Sequence, residues 1–156
     1  GITMADSWRL TANFTGDQTP ITSNWERHDT SPFETNMGTG LTESSGTFSF
    51  PSTGFYFITW THYVFLNGDS PWNEMELRVT NNDSSYTSRQ HAETFLVASG
   101  GDTSYSKTVE SAILDITNIS SQKFRFRVNV DNDSTVTVGN STYKQTGFDI
   151  FRLGDT

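Results

Sequence analysis

A chain of 156 residues is long enough for one domain that buries about 70 % of its unfolded surface, so neither a disulfide nor a metal is needed to close it. Its 18 acidic against 10 basic residues leave a formal charge of -8, which argues against nucleic acid or an anionic membrane as partner, because such binding draws on clustered Lys and Arg. There is no cysteine for a disulfide framework or a thiolate zinc site, and no run approaches the ~18 apolar residues of a membrane span.

Residues 1–5, with Gly1-Ile2-Thr3 ahead of Met4, read as an added remnant or flexible terminus to a single domain spanning 1–156. Beyond them no segment keeps a helical period. Runs rich in Thr, Val, Ile, Phe and Tyr recur instead between clusters of Gly, Asn, Asp and Ser, the pattern of an all-β chain. In chain order, strands are expected near 7–14, 22–27, 46–51, 54–66, 74–80, 86–97, 107–117, 122–130, 135–139 and 143–153. Turns fall at Asn67-Gly68-Asp69, Asn81-Asn82-Asp83, Gly100-Gly101-Asp102 and Asp131-Asn132-Asp133. A long loop from His28 to Leu41, carrying Pro32, Phe33 and Met37, is expected to fold across a sheet edge. Strands at this spacing make a two-sheet antiparallel sandwich, and periodicity alone fits both a jelly roll and an immunoglobulin-like Greek key. The strand from Phe55 to Leu66 departs from simple alternation, with large residues in both phases, so its second face also needs cover.

The stretch Gly46-Thr47-Phe48-Ser49-Phe50-Pro51-Ser52-Thr53-Gly54-Phe55-Tyr56-Phe57-Ile58 resembles the signature of C1q-like domains, G-x-F-x-x-P-x-x-G-x-Y-x-F/I, a family that shares the tumour-necrosis-factor jelly roll. Asn24-Trp25-Glu26 and the loop from Gly38 to Ser45 sit where related domains place a short strand and the approach to this motif. Ser141 to Phe151 resembles the closing strand, S-x-F-S/T-G-F, with its aromatic four residues before Gly147 instead of two. Pro51 tolerates only a strand end or edge and Gly54 a permissive backbone, so together they read as a tight corner. The resemblance implies a jelly-roll sandwich with Tyr56 in the core. Ile58, Trp60, His62 and Val64 then share its face. It also implies that the opposite face, Phe57, Thr59, Thr61, Tyr63 and Phe65, lines the axis of a homotrimer. From the residues alone, a second layer within the chain or loops over the sheet would serve as well.

Catalysis finds little support. His28, His62 and His91 show no shared-metal spacing, and no G-x-S-x-G elbow is present. His28-Asp29 and His91-Ala92-Glu93 are sequence neighbours only, read as residues that point to opposite faces of their strands. His62, in the core phase beside Trp60, needs a hydrogen-bond partner and resists protonation. The turns at 68–69, 81–83 and 131–133 carry calcium-type oxygen ligands, and some C1q-like trimers hold calcium near the axis or at a loop. None has the spacing of an EF-hand, so neither metal nor cofactor is expected. Sequons at Asn13, Asn82, Asn118, Asn132 and Asn140 matter only for a secreted eukaryotic chain.

For ligand binding, the segment Asn67 to Glu74 stands out, with Asp69, Trp72 and Asn73 offering an aromatic face and polar side chains suited to a sugar. The competing reading has Trp72 beginning the next strand and covering a core edge. With neither a signal peptide nor a Gly-X-Y stalk, the sequence reads as a bacterial or phage protein or a separate head domain. The expectation is a non-enzymatic homotrimeric recognition or adhesion module on an extracellular or virion surface, such as a fibre tip or receptor-binding head, whose partner is a cell-surface protein or glycan. The alternative is a purely structural virion decoration or assembly trimer.

Overall fold

A computed structural model describes residues 1–32 and 36–156 and resolves the alternating runs into thirteen strands. They are β1 (Met4–Leu10), β2 (Phe14–Thr15), β3 (Trp25–Arg27), β4 (Asn36–Met37), β5 (Thr42–Ser44), β6 (Thr47–Ser49), β7 (Gly54–Leu66), β8 (Ser70–Thr80), β9 (Thr87–Leu96), β10 (Ser104–Ile116), β11 (Lys123–Val130), β12 (Val136–Thr137) and β13 (Gly147–Gly154). No described helix is long and apolar enough to cross a membrane. Two antiparallel sheets form a jelly-roll sandwich. One runs β2-β12-β7-β13-β1-β3, with β10 added on β7 and β4 on β1; the other runs β5-β6-β11-β8-β9. β10 therefore ends the first sheet and β9 the second, and the hydroxyls of Thr94 and Ser106 bond where these two edges meet.

Several boundaries differ from the sequence expectation. The first strand begins at Met4, a buried core residue, so Met4 and Ala5 of the segment read as terminal belong to β1. The run 22–27 shrinks to β3 because Asn24 adopts φ 65, which breaks an extended chain. β4 and β5 are short and polar, with no alternation to mark them. Within the loop from His28 to Leu41, Met37 joins β4 and pairs with Ala5 of β1, Pro32 is exposed, and Phe33 lies outside the described residues. The final strand starts at Gly147, not at 143, and Tyr143 belongs to the loop before it.

The core is aromatic and centred on Phe48, whose ring lies 4.9 to 5.3 Å from those of Trp8, Trp25, Phe124 and Phe148. Tyr56, Ile58 and Trp60 from β7, Met75 and Leu77 from β8, and Phe124 and Phe126 from β11 complete it with no exposed surface. Trp60 Nε1 donates to Met75 O at 2.9 Å, which satisfies its one polar atom across the sheets. The turn residues that lead into this core are fixed by lack of room. A Cβ on Gly46, at φ 80, would stand 2.0 Å from Ile21 O, and one on Gly54, at φ 142, 2.4 Å from Gly154 O. Across the corner between them, the Tyr56 hydroxyl donates to Ser52 O at 2.8 Å.

Further along β7 the core changes character. His62 is fully buried between Trp60 and Val64, and Thr135, Thr137, Ser70 and Asn73 are buried at the same end. Beyond them Val64, Leu66 and Leu96 form a separate small apolar cluster. His62 Nε2 meets Thr137 Oγ1 at 3.1 Å, while its Nδ1 has no partner. Burial pushes this imidazole from 6.5 down to about 3. An unfolded chain takes up a proton near pH 6.5 that the folded chain refuses until about pH 3, so the stabilising effect is complete above 6.5 and is lost as pH falls through that window. Urea unfolding should show a loss of about 2 kcal/mol between pH 7 and pH 5 that is absent from His62→Gln, since each pH unit of this linkage is worth up to about 1.4 kcal/mol. Equal pH dependence in the two proteins would mean that His62 is not held neutral.

Candidate functional site

The outward phase of β7 meets matching phases of its neighbours in rows across the first sheet. Phe57 stands opposite Ile113 and Phe151, Thr59 opposite Ser111 and Asp149, Thr61 opposite Val109 and Gly147, Tyr63 opposite Lys107, and Phe65 opposite Tyr105 and Val136. Directly paired residues project to the same side, so these side chains share one surface. The five from β7 are half-buried, whereas Ile113, Val109 and Tyr105 on β10 are 66 %, 62 % and 60 % exposed. Tyr105 packs on Phe65 and Tyr63 at centroid distances of 5.4 and 6.1 Å, and the Lys107 ammonium lies 5.4 Å from the Tyr63 ring. An apolar face of this kind, cut by few charges, is the surface of a soluble chain that most resembles an interface.

The contribution of β10 was not singled out from the sequence. Val109 and Ile113 do alternate, but Ala112 and Leu114 occupy the other phase of the same strand, and only pairing with β7 decides which set faces out.

The candidate ligand loop is drawn apart by the extension of β8. Asp69 is exposed in the turn, with Oδ1 accepting from Ala98 N at 2.7 Å. Trp72 lies within β8 and is half-buried, and its neighbour Asn73 faces the interior with no exposed surface. Asn73 accepts from Ser70 Oγ at 2.7 Å and donates to Ser70 O and Thr94 O, so its amide is spent on the fold and cannot reach a ligand beside Trp72. Pro71 is accommodated because the β8–β9 register is irregular between Ser70 and Asn73.

The histidines lie on separate elements. His28 follows β3 and is buried; desolvation, then the charges of Arg9 and Lys144, hold it below its usual value. Oδ1 of its sequence neighbour Asp29 accepts from Arg9 Nη2 at 2.8 Å. His91 and Glu93 are two apart, not adjacent, and so share a face of β9 after all, with Nε2 3.7 Å from the carboxylate. With Glu74 of β8 they bring three ligand atoms within 4.8 Å of one another, a mixed imidazole and carboxylate set unlike a calcium cage. At the Asx turns, Asn82 Oδ1 accepts from Ser84 N and Ser85 N, Asn132 Oδ1 accepts from Ser134 N, and Asp83 pairs with Lys123 at 2.7 Å.

Solved structures share this architecture, two of them tumour-necrosis-factor-type proteins. Eiger TNF from S. frugiperda superposes with a TM-score of 0.70 at 13 % identity, over 99 % of this chain and 94 % of that one. Murine APRIL superposes with a TM-score of 0.62 at 11 % identity, over 96 % and 98 %. No protein-family model and no curated relative matches the sequence. The likeness is one of fold, a two-sheet antiparallel jelly roll of the tumour-necrosis-factor and C1q type.

With Asn82 and Asn132 Oδ1 engaged by their own turns and Asp83 paired with Lys123, the melting temperature is expected to be the same in excess EDTA and in millimolar calcium. Native-state binding would raise stability by RT ln(1 + [L]/Kd). A rise of several degrees in calcium would show a site at one of these turns.

Proposed function

We propose that this chain is a non-enzymatic homotrimeric recognition module, displayed on an extracellular or virion surface, that binds a cell-surface protein or glycan. The observation that carries the reading is the apolar outer face of β7, β10 and β13, from Phe57, Thr59, Thr61, Tyr63 and Phe65 to Val109, Ile113 and Phe151. A closed threefold ring, in which one part of the face meets a different part of the next copy, removes such a face from water in every copy at once. The fold shared with a tumour necrosis factor supports this reading. A bacterial or phage fibre tip or receptor-binding head is the setting that suits an acidic, cysteine-free chain with little sign of catalytic machinery. A trimer built this way presents three copies of each surface loop, and weak single sites gain avidity through effective concentration.

Light scattering of the purified chain should return three times 17.5 kDa at low and high salt. Tyr63→Asp places three carboxylates near one axis in apolar surroundings, where lost burial and like charge together cost several kcal/mol, so this variant should run as a monomer. A wild-type monomer at micromolar concentration would overturn the assembly, and a trimeric Tyr63→Asp the choice of face.

Binding is tested with the trimer on a glycan array and on intact candidate host cells, beside a panel of hydrolase substrates. Saturable binding without turnover is expected. Trp72→Ala should leave it intact if the half-buried ring serves β8 alone. Turnover abolished by His28→Ala or His91→Ala would replace the binding reading with an enzymatic one, and an intact trimer that neither binds nor turns over would support the structural role.

A further inference from the structure

The row that starts at Thr59 continues beyond the apolar face into a pocket of about 460 Å³ lined by Ser7, His28, Tyr143, Lys144 and Asp149. Asp149 of β13 stands opposite Ser7 of β1, and Ser7 O in turn accepts from His28 N at 2.9 Å, so two strands and the residue that follows β3 supply the floor in sequence. Lys144 Nζ reaches across it, donating to Ser7 Oγ at 3.1 Å and to the Asp149 carboxylate. Tyr143 forms the wall, 63 % exposed and with no aromatic partner among the described residues.

The loop that carries Tyr143 and Lys144 is held in place from several sides. Asn140 Oδ1 accepts from Thr142 N at 2.7 Å and Tyr143 N at 2.9 Å, which fixes the backbone leading to the ring's attachment. Thr142 O accepts from Arg9 Nη1 at 3.2 Å, and Arg9, itself buried, is clamped by Glu26, Asp29 and Thr30. At the far end Thr146 Oγ1 accepts from Tyr63 N at 3.1 Å, closing the loop onto β7. An exposed ring on a backbone this constrained loses little freedom when a ligand lies against it.

The charges in the pocket cancel. Lys144 and Asp149 neutralise each other, and His28 is uncharged at neutral pH because burial and nearby cations disfavour its protonated form. The chain as a whole is strongly acidic. Phosphates and carboxylates thus meet no free cation here among the described residues. Hydroxyl, ammonium, carboxylate and imidazole groups gathered beside one bare aromatic face suit a ligand that is neutral, rich in hydroxyls and apolar on one side.

We propose that this pocket binds one neutral sugar residue of a glycan, with Tyr143 stacking on its apolar face and Ser7, Lys144 and Asp149 hydrogen-bonding its hydroxyls. It rests on the recognition reading above and places the glycan contact here instead of around Trp72. TROSY spectra of the labelled protein, titrated with methyl glycosides of glucose, galactose, mannose and N-acetylglucosamine, test it, with N-acetylneuraminic acid as the anionic control. At least one neutral glycoside should produce saturable shifts centred on the amides of Ser7, His28, Tyr143, Lys144 and Asp149. Tyr143→Ala should weaken that affinity by about tenfold or more, Tyr143→Phe should retain it, and neither should alter the mass by light scattering. No saturable shift with any neutral glycoside at about 100 mM, binding that Tyr143→Ala leaves unchanged, or binding of the anionic sugar alone would each overturn the assignment. The same light-scattering measurement separates the two readings: a monomer that binds sugar keeps the pocket and loses the assembly, while a trimer that fails to bind loses the pocket only.

Discussion

Strand β7 has to satisfy two backbone edges and two side-chain faces at once, and the rest of the molecule is arranged around that demand. Along one edge β10 pairs with it from end to end, Ile116 against Gly54 through Ser104 against Leu66. Along the other, β13 covers Phe55 to Thr61 and β12 covers Val64 and Phe65. Between them the backbone would lack a partner at Tyr63, and there the Thr146 side chain supplies an acceptor for its N–H while Val138 N donates to its carbonyl. One hydroxyl therefore allows a single strand to pass from one neighbour to another without an orphaned amide.

Which face of β7 turns inward is decided at its first residue. Gly54 leaves the corner in a conformation closed to other residues, and the Tyr56 hydroxyl then bonds back to Ser52 O. A slip of one residue would exchange Tyr56, Ile58 and Trp60 for Phe57, Thr59 and Thr61 throughout the strand. The same corner delivers Phe50, whose ring lies 4.8 Å from that of Tyr56, so turn and core are specified by one short stretch.

That economy explains what could be read from the residues before any coordinates. The strand 54–66 was legible to its ends, because a Pro/Gly corner precedes it, a dense apolar run fills it and an Asn-Gly turn closes it. Which face turns inward was legible only through the resemblance that puts Tyr56 in the core, because large residues fill both phases of the strand. β4 and β5 were not, since their Asn, Thr, Glu and Ser residues are held by pairing with β1 and β6 and not by any pattern of their own. Tyr143 misled because a β-prone aromatic sits just ahead of Thr-Gly-Phe, yet Asn140 caps its amide and turns the chain. Asn73 misled in the opposite sense. Polar residues after a turn usually face water, but this one lines a buried polar layer together with Ser70.

Strands β9 and β10 end their sheets on the same flank, and among the described residues each has one backbone edge with no strand hydrogen-bonded to it. Such an edge will accept any extended segment, including the same strand from another nascent chain. The sequence answers with charge placed along both: Arg89 and Glu93 on one, Lys107, Glu110 and Asp115 on the other. Side chains of this kind tolerate solvent but resist flush stacking against a copy of themselves. In a chain with few charged residues to spend, their placement there guards the interval between synthesis and completed folding, when fibrous aggregation competes with the folded product.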